Sequence, residues 1–258
     1  MKVSKKIFLI DVITLMPEMF EAFTNFGVVG RGFKKKIVSL NFLNPRDFTA
    51  DTHKTVDDDR AYGGGPGMVM MFDPLIKSIE SARAKEKTLG IKKRKVVHLT
   101  PKGLKLSHKK VKELSNEKGL ILLASRYEGV DERLSNWIDE EVSIGDFVTS
   151  GGELPAMLLM DALIRQIPGV LNDIESANQD SFVNGLLDHP SFTRPESVRD
   201  LNVPDVLLSG DHEKIRVWRL KESLRITKLN RPDLLINKSL TKEESRLLKE
   251  IEEEQVQD

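Results

Sequence analysis

Short apolar runs alternate with longer mixed segments from residue 7 to residue 166, and this pattern constrains the fold more than any other feature. Strands are predicted at 7–13, 37–43, 95–99, 119–124 and 141–144, where Ile, Val, Leu and Phe dominate and the runs are bounded by turn-forming or charged residues. Helices are predicted between them, at 16–23, 73–87, 107–116, 131–137 and 153–166. Alternating strands and helices predict an α/β domain with a mainly parallel sheet.

The pattern changes after Gly169. Residues 172–184 are polar and weakly periodic, which favours a flexible interdomain linker. Prolines interrupt the following stretch, and two more helices are predicted at about 213–229 and 241–254. We therefore predict a first domain over 1–171, a linker over 172–184 and a small, mostly helical domain over 185–258.

Composition excludes several classes of protein. The chain has no cysteine, which excludes disulfides, thiolate zinc sites, iron–sulfur clusters and cysteine nucleophiles. Its 40 Lys and Arg balance 40 Asp and Glu, so nucleic-acid binding through overall basic charge is also excluded. No apolar run approaches the ~20 residues of a membrane span, and the apolar run at 7–10 meets Asp11 too early for a signal peptide. We expect a cytoplasmic enzyme or binding protein.

Charge is unevenly distributed along the chain. Residues 82–118 contain 13 basic and 3 acidic side chains, a local charge of +10, and residues 123–161 contain 2 basic and 9 acidic ones, a local charge of −7. One interpretation is a set of ordinary solvated faces and turns. The other is a surface that faces phosphates, beside an acidic pocket.

Three loops follow predicted strands at the edge of the sheet where α/β proteins bind their ligands. They cover 99–103, 125–129 and 145–152, and each contains Gly or Pro, which leaves backbone amides and carbonyls accessible. Backbone hydrogen bonds at such an edge suit a flat heterocycle such as adenine. Each loop alone is typical of a plain turn, so this prediction depends on all three.

Established nucleotide and hydrolase motifs are missing from the sequence. The glycines at 63–67 do not form G-x-G-x-x-G, because Met68 occupies the last glycine position, and neither a P-loop nor a G-x-S-x-G motif occurs. Gly27, Gly30 and Gly32 are predicted to form a flexible connection. The histidines lack metal-ligand spacing and are interpreted as structural or exposed: His53, His98, His108, His189 and His212.

The predicted helix near 213–229 is strongly cationic. Asp211 is placed to cap it, and apolar residues recur on one face. An ordinary amphipathic helix with a charged exterior explains this pattern, and so does a helix that contacts phosphates. In the second case the contacts are Lys214, Arg216, Arg219, Lys221 and Arg225.

Long and specific motifs occur in one order between about residue 7 and residue 248. They are YGGGPGM at 62–68, RYEGVDER at 126–133, SIGDFV at 143–148, SGGELPA at 150–156, QDSF at 179–182, GLLD at 185–188 and VLLSGDH at 206–212. Together they closely resemble the bacterial tRNA (guanine-N1)-methyltransferases, a trefoil-knotted (SPOUT-class) family.

The resemblance implies a methyltransferase that uses S-adenosylmethionine to methylate N1 of the guanosine immediately 3′ of the anticodon in tRNA. It implies a homodimer and an α/β fold whose mainly parallel sheet carries a deep trefoil knot at the cofactor site, although chains rarely thread loops. Residues 1–171 would be the knotted cofactor-binding domain, and residues 185–258 a helical tRNA-binding domain.

The resemblance also assigns site residues. It implies cofactor contacts at Pro101, Ser125, Tyr127, Glu128, Ile144, Gly145, Asp146, Phe147, Val148, Thr149, Gly151 and Gly152. Family members usually have Gly where this chain has Ser125, so the fine geometry of that loop is expected to differ. The family's activity is assisted by Mg²⁺, but no carboxylate cluster in the sequence identifies ligands for the ion.

Guanine N1 carries a proton and is a poor nucleophile until that proton leaves, so a carboxylate base is expected. The resemblance assigns this role to Asp180, and the stabilisation of negative charge on O6 to Arg165. Two alternatives remain: a non-catalytic RNA-binding module, which leaves the three glycine-bearing loops unexplained, and a knotted methyltransferase acting on another RNA or on a ribose. A ribose methylase would not need a base such as Asp180.

Overall fold

The computed structural model describes residues 7–58, 61–91, 93–172 and 180–255 and divides the chain into two compact units. The division falls between residues 174 and 175, within the predicted linker, of which residues 173–179 lie outside the described part. No helix among the described residues is both long and apolar enough to cross a membrane.

A parallel five-stranded sheet forms the centre of the first unit. Its strands are β1 (Phe8–Ile13), β2 (Val38–Leu43), β5 (Lys95–Lys105), β6 (Gly119–Leu123) and β7 (Glu140–Ser143), in the order β2-β1-β6-β5-β7. All four neighbouring pairs are parallel. A separate antiparallel ribbon joins β3 (Asp57–Asp58) to β4 (Val69–Met70). The predicted α/β class with a mainly parallel sheet is confirmed.

Helices cover both faces of this sheet, as a parallel sheet requires. They are α1 (Glu21–Asn25), α2 (Gly27–Lys34), α3 (Phe72–Leu89), α4 (His108–Ser115) and α5 (Glu153–Ile164), with 3₁₀ turns at Pro17–Phe20, Pro45–Phe48 and Glu132–Trp137. Strand β6 is buried throughout: Leu120 and Leu122 pack with α4 and α5, and Ile121 and Leu123 pack with α3.

Two local predictions were wrong. The glycines at 27–32 are not a connection, because they form α2, where a Cβ on Gly32 would lie 3.3 Å from the Ile164 side chain. Gly32 therefore permits close packing of α2 against the end of α5. The turn predicted at 100–103 belongs to β5, which continues to Lys105 after a shift of register between Leu99 and Leu104.

The second unit is smaller and mostly helical. Its helices are α6 (Asp205–Leu208), α7 (His212–Asn230), α8 (Pro232–Ile236) and α9 (Lys242–Gln255), and β8 (Ser197–Val198) pairs with β9 (Leu201–Asn202). Both predicted helices of this region are present as α7 and α9. Asp211 caps α7 by accepting a hydrogen bond from the Lys214 amide. The core is small and consists of Leu186, Leu224, Leu247 and Ile251.

Candidate active site

A cavity of about 230 Å³ lies at the carboxyl ends of β5, β6 and β7. The three loops predicted to bind a ligand surround it, because the carboxyl ends of parallel strands meet at one edge. Every residue predicted to contact the cofactor lines it, apart from Gly145 and Asp146. The other lining residues, which the sequence did not indicate one by one, are Leu99, Thr100, Lys102, Gly129, Val142, Ser143 and Pro155.

Gly145 and Asp146 are not among the residues that line the cavity. The Ser143 hydroxyl donates to the Gly145 carbonyl at 2.9 Å, which closes the turn. A Cβ on Gly145 would lie 2.5 Å from the Phe147 ring. Asp146 forms an ion pair with Lys105 across the exposed surface. These two residues therefore shape the 145–152 loop, while Phe147 and its neighbours face the cavity.

The loop that follows β6 is pressed against two other segments. The Gly152 amide donates to the Ser125 carbonyl at 2.7 Å, and the Glu128 amide donates to the Met68 carbonyl at 2.9 Å. A Cβ on Gly152 would lie only 2.6 Å from the Cα of Ala124. The glycine-rich segment at 63–67 is therefore next to the cavity-lining Glu128, a placement that the sequence did not predict.

Glu153 is a fully buried carboxylate that the sequence analysis missed as a site residue. It accepts a hydrogen bond from the Thr14 hydroxyl at 2.9 Å and pairs with Arg126 Nε at 3.1 Å. Thr14 follows β1 and Arg126 follows β6, so one side chain ties the ends of two strands to the start of α5. Its motif position next to two cavity glycines was the available signal.

His98 is also part of this edge, where the sequence analysis predicted only a structural or exposed histidine. The residue is 4% exposed. Its Nε2 lies 2.9 Å from the Ser125 hydroxyl oxygen and its Nδ1 lies 3.2 Å from a carboxylate oxygen of Glu141. Burial lowers the pKa of His98, and this effect outweighs Glu141, whose hydrogen bond and charge raise it. The imidazole is therefore neutral at pH 7.

The basic and acidic stretches of the sequence pair with each other. The Nζ atom of Lys95 lies 2.7 Å from a carboxylate oxygen of Glu140, and that of Lys93 lies 3.0 Å from one of Asp139. The hydrogen bond to Glu140 raises the pKa of Lys95 above its ordinary value. The strands β5 and β7 are neighbours, so the excess charges of the two stretches partly cancel across the sheet edge. This arrangement favours the interpretation as ordinary solvated faces over a continuous phosphate-facing surface.

The two predicted catalytic residues belong to different compact units. Arg165 is half-buried and follows α5, where its amide donates to the Asp161 carbonyl. Asp180 lines a cavity of about 610 Å³ in the second unit, and its carbonyl accepts from the Val183 amide. The neighbouring Ser181 hydroxyl accepts from the Asp188 amide at 2.9 Å, so a turn surrounds Asp180.

The five predicted phosphate contacts of α7 fall into two groups. Arg216, Lys221 and Arg225 form ion pairs with acidic residues of α9 at distances of 2.6 to 2.7 Å. Their partners are Glu243 and Glu254. The pKa of Glu254 lies below its ordinary value, first because of the hydrogen bond from Lys221 and second because of the one from Arg225.

The other two cations are more accessible. Among the residues that the structure describes, the ion-pair partner of Lys214 is its neighbour Asp211, the capping residue, at 3.2 Å. Arg219 is exposed, has no ion pair among the described residues, and lines cavities of about 610 and 1310 Å³ within the second unit.

A magnesium site is not evident in the described part of the chain. No three of its His, Asp or Glu side chains form a group that could hold a metal ion. The residues present therefore do not fit a dedicated protein site for Mg²⁺, and no chemical step is assigned to the ion here.

Comparison with known proteins identifies close relatives along almost the whole chain. A family model described as "tRNA (Guanine-1)-methyltransferase TrmD" matches residues 8–237. The tRNA (guanine-N(1)-)-methyltransferase of Methylobacillus flagellatus is 57% identical over 246 residues, which cover 95% of this chain and 93% of that protein. The enzyme of the same name from Chromobacterium violaceum is 55% identical over 247 residues, covering 95% and 96%. That from Nitrosospira multiformis is 56% identical over 246 residues, covering 94% and 96%.

Proposed function

The chain belongs to the tRNA (guanine-1)-methyltransferase family, and on this premise we propose that it transfers a methyl group from S-adenosylmethionine to N1 of the guanosine immediately 3′ of the anticodon in tRNA. The observation that carries the proposal is the single cavity at the ends of β5, β6 and β7, lined by loops of three successive motifs. A tRNA substrate also makes the cytoplasm the expected location.

The lining of this cavity suits S-adenosylmethionine. Leu99, Val142 and Pro155 supply apolar surface of the kind that holds an adenine ring, and the surrounding loops supply backbone hydrogen-bonding groups. When bound, the molecule supplies a methyl carbon already activated by its positive sulfur. The protein therefore has to place guanine N1 in line with that carbon, and covalent catalysis is unnecessary.

The protein's own chemistry is proton removal and charge stabilisation. In the proposal, the Asp180 carboxylate takes the N1 proton, and the freed nitrogen lone pair forms the bond to the methyl carbon as the carbon–sulfur bond breaks. S-adenosylhomocysteine is the leaving product. Negative charge that builds on guanine O6 is stabilised by the Arg165 guanidinium. The turn around Ser181 holds the backbone next to Asp180 in place.

A deep trefoil knot at the cavity is part of the proposal. Its support is the closeness of the backbone segments that cross there. A Cβ on the cavity-lining Gly152 would lie 2.6 Å from the Cα of Ala124 and 2.8 Å from the amide nitrogen of Ser125. Only glycine permits such approaches. Chain segments packed this tightly around one cavity are what a threaded loop requires.

A direct test is to map the product of the reaction. Purified protein, S-adenosylmethionine and an unmodified tRNA transcript are incubated, and the methyl group is located by mass spectrometry of nuclease fragments. We expect N1-methylguanosine immediately 3′ of the anticodon. A methyl group on a ribose, or on another nucleotide only, would contradict the proposal, and so would the absence of methyl transfer from a protein that binds both substrates.

We further propose a homodimer in which the second unit of one chain serves the cavity of the other. Its support is an apolar face on α5, directly after the cavity glycines. Leu154 and Leu158 are one helical turn apart and 52% and 48% exposed. Val148 of the neighbouring loop is 82% exposed. Exposed apolar surface of this kind marks a protein–protein contact.

Mixing two inactive chains should restore activity if sites are shared. Asp180→Ala leaves the cavity intact, and Gly152→Ala leaves Asp180 intact. After co-refolding, half of a random dimer population is mixed and each mixed dimer has one complete site, so about a quarter of wild-type activity is expected. Methyl transfer per chain is the measurement. Activity no greater than the sum of the two parents, in a sample with proven mixed dimers, would contradict shared sites.

The two groups of cations on α7 lead us to propose that Lys214 and Arg219 provide most of the phosphate contacts to tRNA. Arg216, Lys221 and Arg225 are already paired with carboxylates, so a phosphate would have to displace those partners. In this proposal their main role is to hold α7 against α9, and the second unit is the tRNA-binding domain.

Arg219→Gln should weaken the binding of all tRNAs alike and lower the slope of log affinity against log salt by ~1. Arg225→Gln is the matched control, since the same charge is removed from a residue paired with Glu222 and Glu254. For Arg225→Gln, the slope of log affinity against log salt should change by less than half as much as for Arg219→Gln. Filter binding at several salt concentrations measures both. Equal slope changes would contradict the division of the cations, and loss of discrimination among tRNAs would indicate base contacts.

A further inference from the structure

We propose that His98 is a positioning residue for the cofactor cavity, which braces the loop that begins at Ser125 and the loop that ends at Gly152 by accepting a hydrogen bond from the Ser125 hydroxyl. The inference deepens the proposed function and rests on it, because it concerns how the methyl donor's cavity keeps its shape. It also gives a physical role to the hydroxyl of Ser125.

The position of His98 follows from the sheet. It lies on β5, which is the strand between β6 and β7, and it is in register with Leu123 on one side and Glu141 on the other. Ser125 comes two residues after Leu123. The ring therefore reaches one partner on each neighbouring strand, at 2.9 Å to Ser125 and 3.2 Å to Glu141.

The chemistry of the three groups fixes the direction of both hydrogen bonds. An ionised carboxylate only accepts, so Nδ1 must carry the ring proton and donate it to Glu141. Nε2 of a neutral imidazole is then an acceptor, and the Ser125 hydroxyl must donate to it. The hydroxyl proton of Ser125 is consequently committed to His98, and its oxygen can only accept from a molecule in the cavity.

The bond to His98 also affects a second loop. The Ser125 carbonyl accepts from the Gly152 amide at 2.7 Å, and both residues line the cavity. Glu141, His98, Ser125 and Gly152 thus form one hydrogen-bonded chain from an exposed carboxylate to the cavity wall. Without the contact to His98, the half-buried side chain of Ser125 would be free to rotate. Ser125 is the residue that joins the 125–129 loop to the 145–152 loop, through its carbonyl.

The coupling between His98 and Ser125 can be measured with a double-mutant cycle. His98→Leu and Ser125→Gly should each weaken the binding of S-adenosylhomocysteine by about 5- to 10-fold, because each leaves the other polar group without its buried partner. The double variant loses the same hydrogen bond only once, so it should bind about as weakly as either single variant and not with the product of the two losses. Isothermal titration calorimetry provides the affinities.

A matched control separates positioning from general loss of stability. Ser78 is a buried serine in α3 that donates to the Pro74 carbonyl, and it does not line the cavity. Ser78→Ala should lower the melting temperature without changing cofactor affinity. His98→Gln is the conservative variant, since its amide oxygen accepts from Ser125, and it should bind within about 3-fold of wild type.

The pH dependence gives a readout that a merely structural residue would not affect. The charged groups that act on His98 are Glu141 and Glu132, which raise its pKa, and Lys102, which lowers it with burial. Because the pKa lies below its ordinary value, protonation occurs on the acid side and turns Nε2 into a donor. This reverses the hydrogen bond, so that the Ser125 oxygen accepts from the ring and the serine's own proton turns away from His98. Wild-type affinity should fall as the solution is acidified, whereas the affinity of His98→Gln should stay constant.

The outcomes distinguish this inference from the proposed function. Wild-type protein that fails to bind S-adenosylhomocysteine at all would overturn the proposed function. Wild-type binding with additive losses in the double variant, or with the same pH profile in His98→Gln, would overturn the role of His98 alone. Non-additive losses together with a flat His98→Gln profile would support it, and the Gln variant decides the matter even where His98→Leu does not fold.

Discussion

Replacing Asp180 by Asn is expected to slow single-turnover methylation of tRNA by roughly 10²- to 10⁴-fold, which is the usual span for the loss of a general base. Asn has nearly the same shape and keeps most of the hydrogen bonding, but it cannot take the N1 proton. Affinity for tRNA and for S-adenosylmethionine should stay close to wild type. Rapid-quench measurement with enzyme in excess isolates the chemical step from product release.

Asp205→Asn is the matched control, because it makes the same change at an exposed aspartate in the first turn of α6, elsewhere in the second unit. Its rate should remain within a few-fold of wild type. If Asp180 only orders the turn that contains Ser181, Asn should replace it well, since Asn also forms turn hydrogen bonds. A folded Asp180→Asn enzyme with a near-normal chemical rate would therefore remove the assignment of the base.

The fold could be predicted from the sequence where local patterns decide it. Strand β6 is a fully apolar run bounded by turns, and the Lys-rich helix α7 has a capping aspartate, so both were found within a few residues of their observed ends. The prediction for the α2 glycines was wrong because a contact such as that of Gly32 with Ile164 is tertiary. No local pattern distinguishes a glycine needed for close approach from one in a loop.

The candidate site was predictable to a similar degree. The order of strands and loops placed three motifs at one edge of the sheet, and long motifs supplied named residues. What the sequence lacked was the pairing across strands. His98 and Ser125 are 27 positions apart, and Arg126 and Glu153 are separated by the same distance, so their contacts depend on strand order. Whether a cation of α7 is paired or accessible likewise depends on which face of that helix packs against α9.

Gly152→Ala is expected to weaken the binding of S-adenosylhomocysteine by about 100-fold, or roughly 2.7 kcal/mol, which is within the cost of overpacking a tight site. The added methyl group would lie 2.6 Å from the Cα of Ala124 and 2.8 Å from the Ser125 amide nitrogen. Both are backbone atoms, which cannot rotate away. The loops at 125 and 152 must separate, and the cavity that they line should lose its shape. Calorimetry measures the affinity, and circular dichroism checks the fold.

Gly145→Ala is the comparison variant, in which the added methyl group meets a side chain and not backbone atoms. There the new methyl group would meet the Phe147 ring at 2.5 Å, and that ring is 56% exposed and can turn toward solvent. We expect a loss of affinity of less than about 10-fold, because a rotation of the ring relieves the clash and the remaining cost is the backbone strain of a side chain at the Gly145 φ of +157°. The contrast matters because both residues were assigned to the cofactor by the same motif resemblance. Equal losses for the two variants would show that the crossing of backbones at Gly152 is not what maintains the cavity, and a folded Gly152→Ala protein with wild-type affinity would refute it outright.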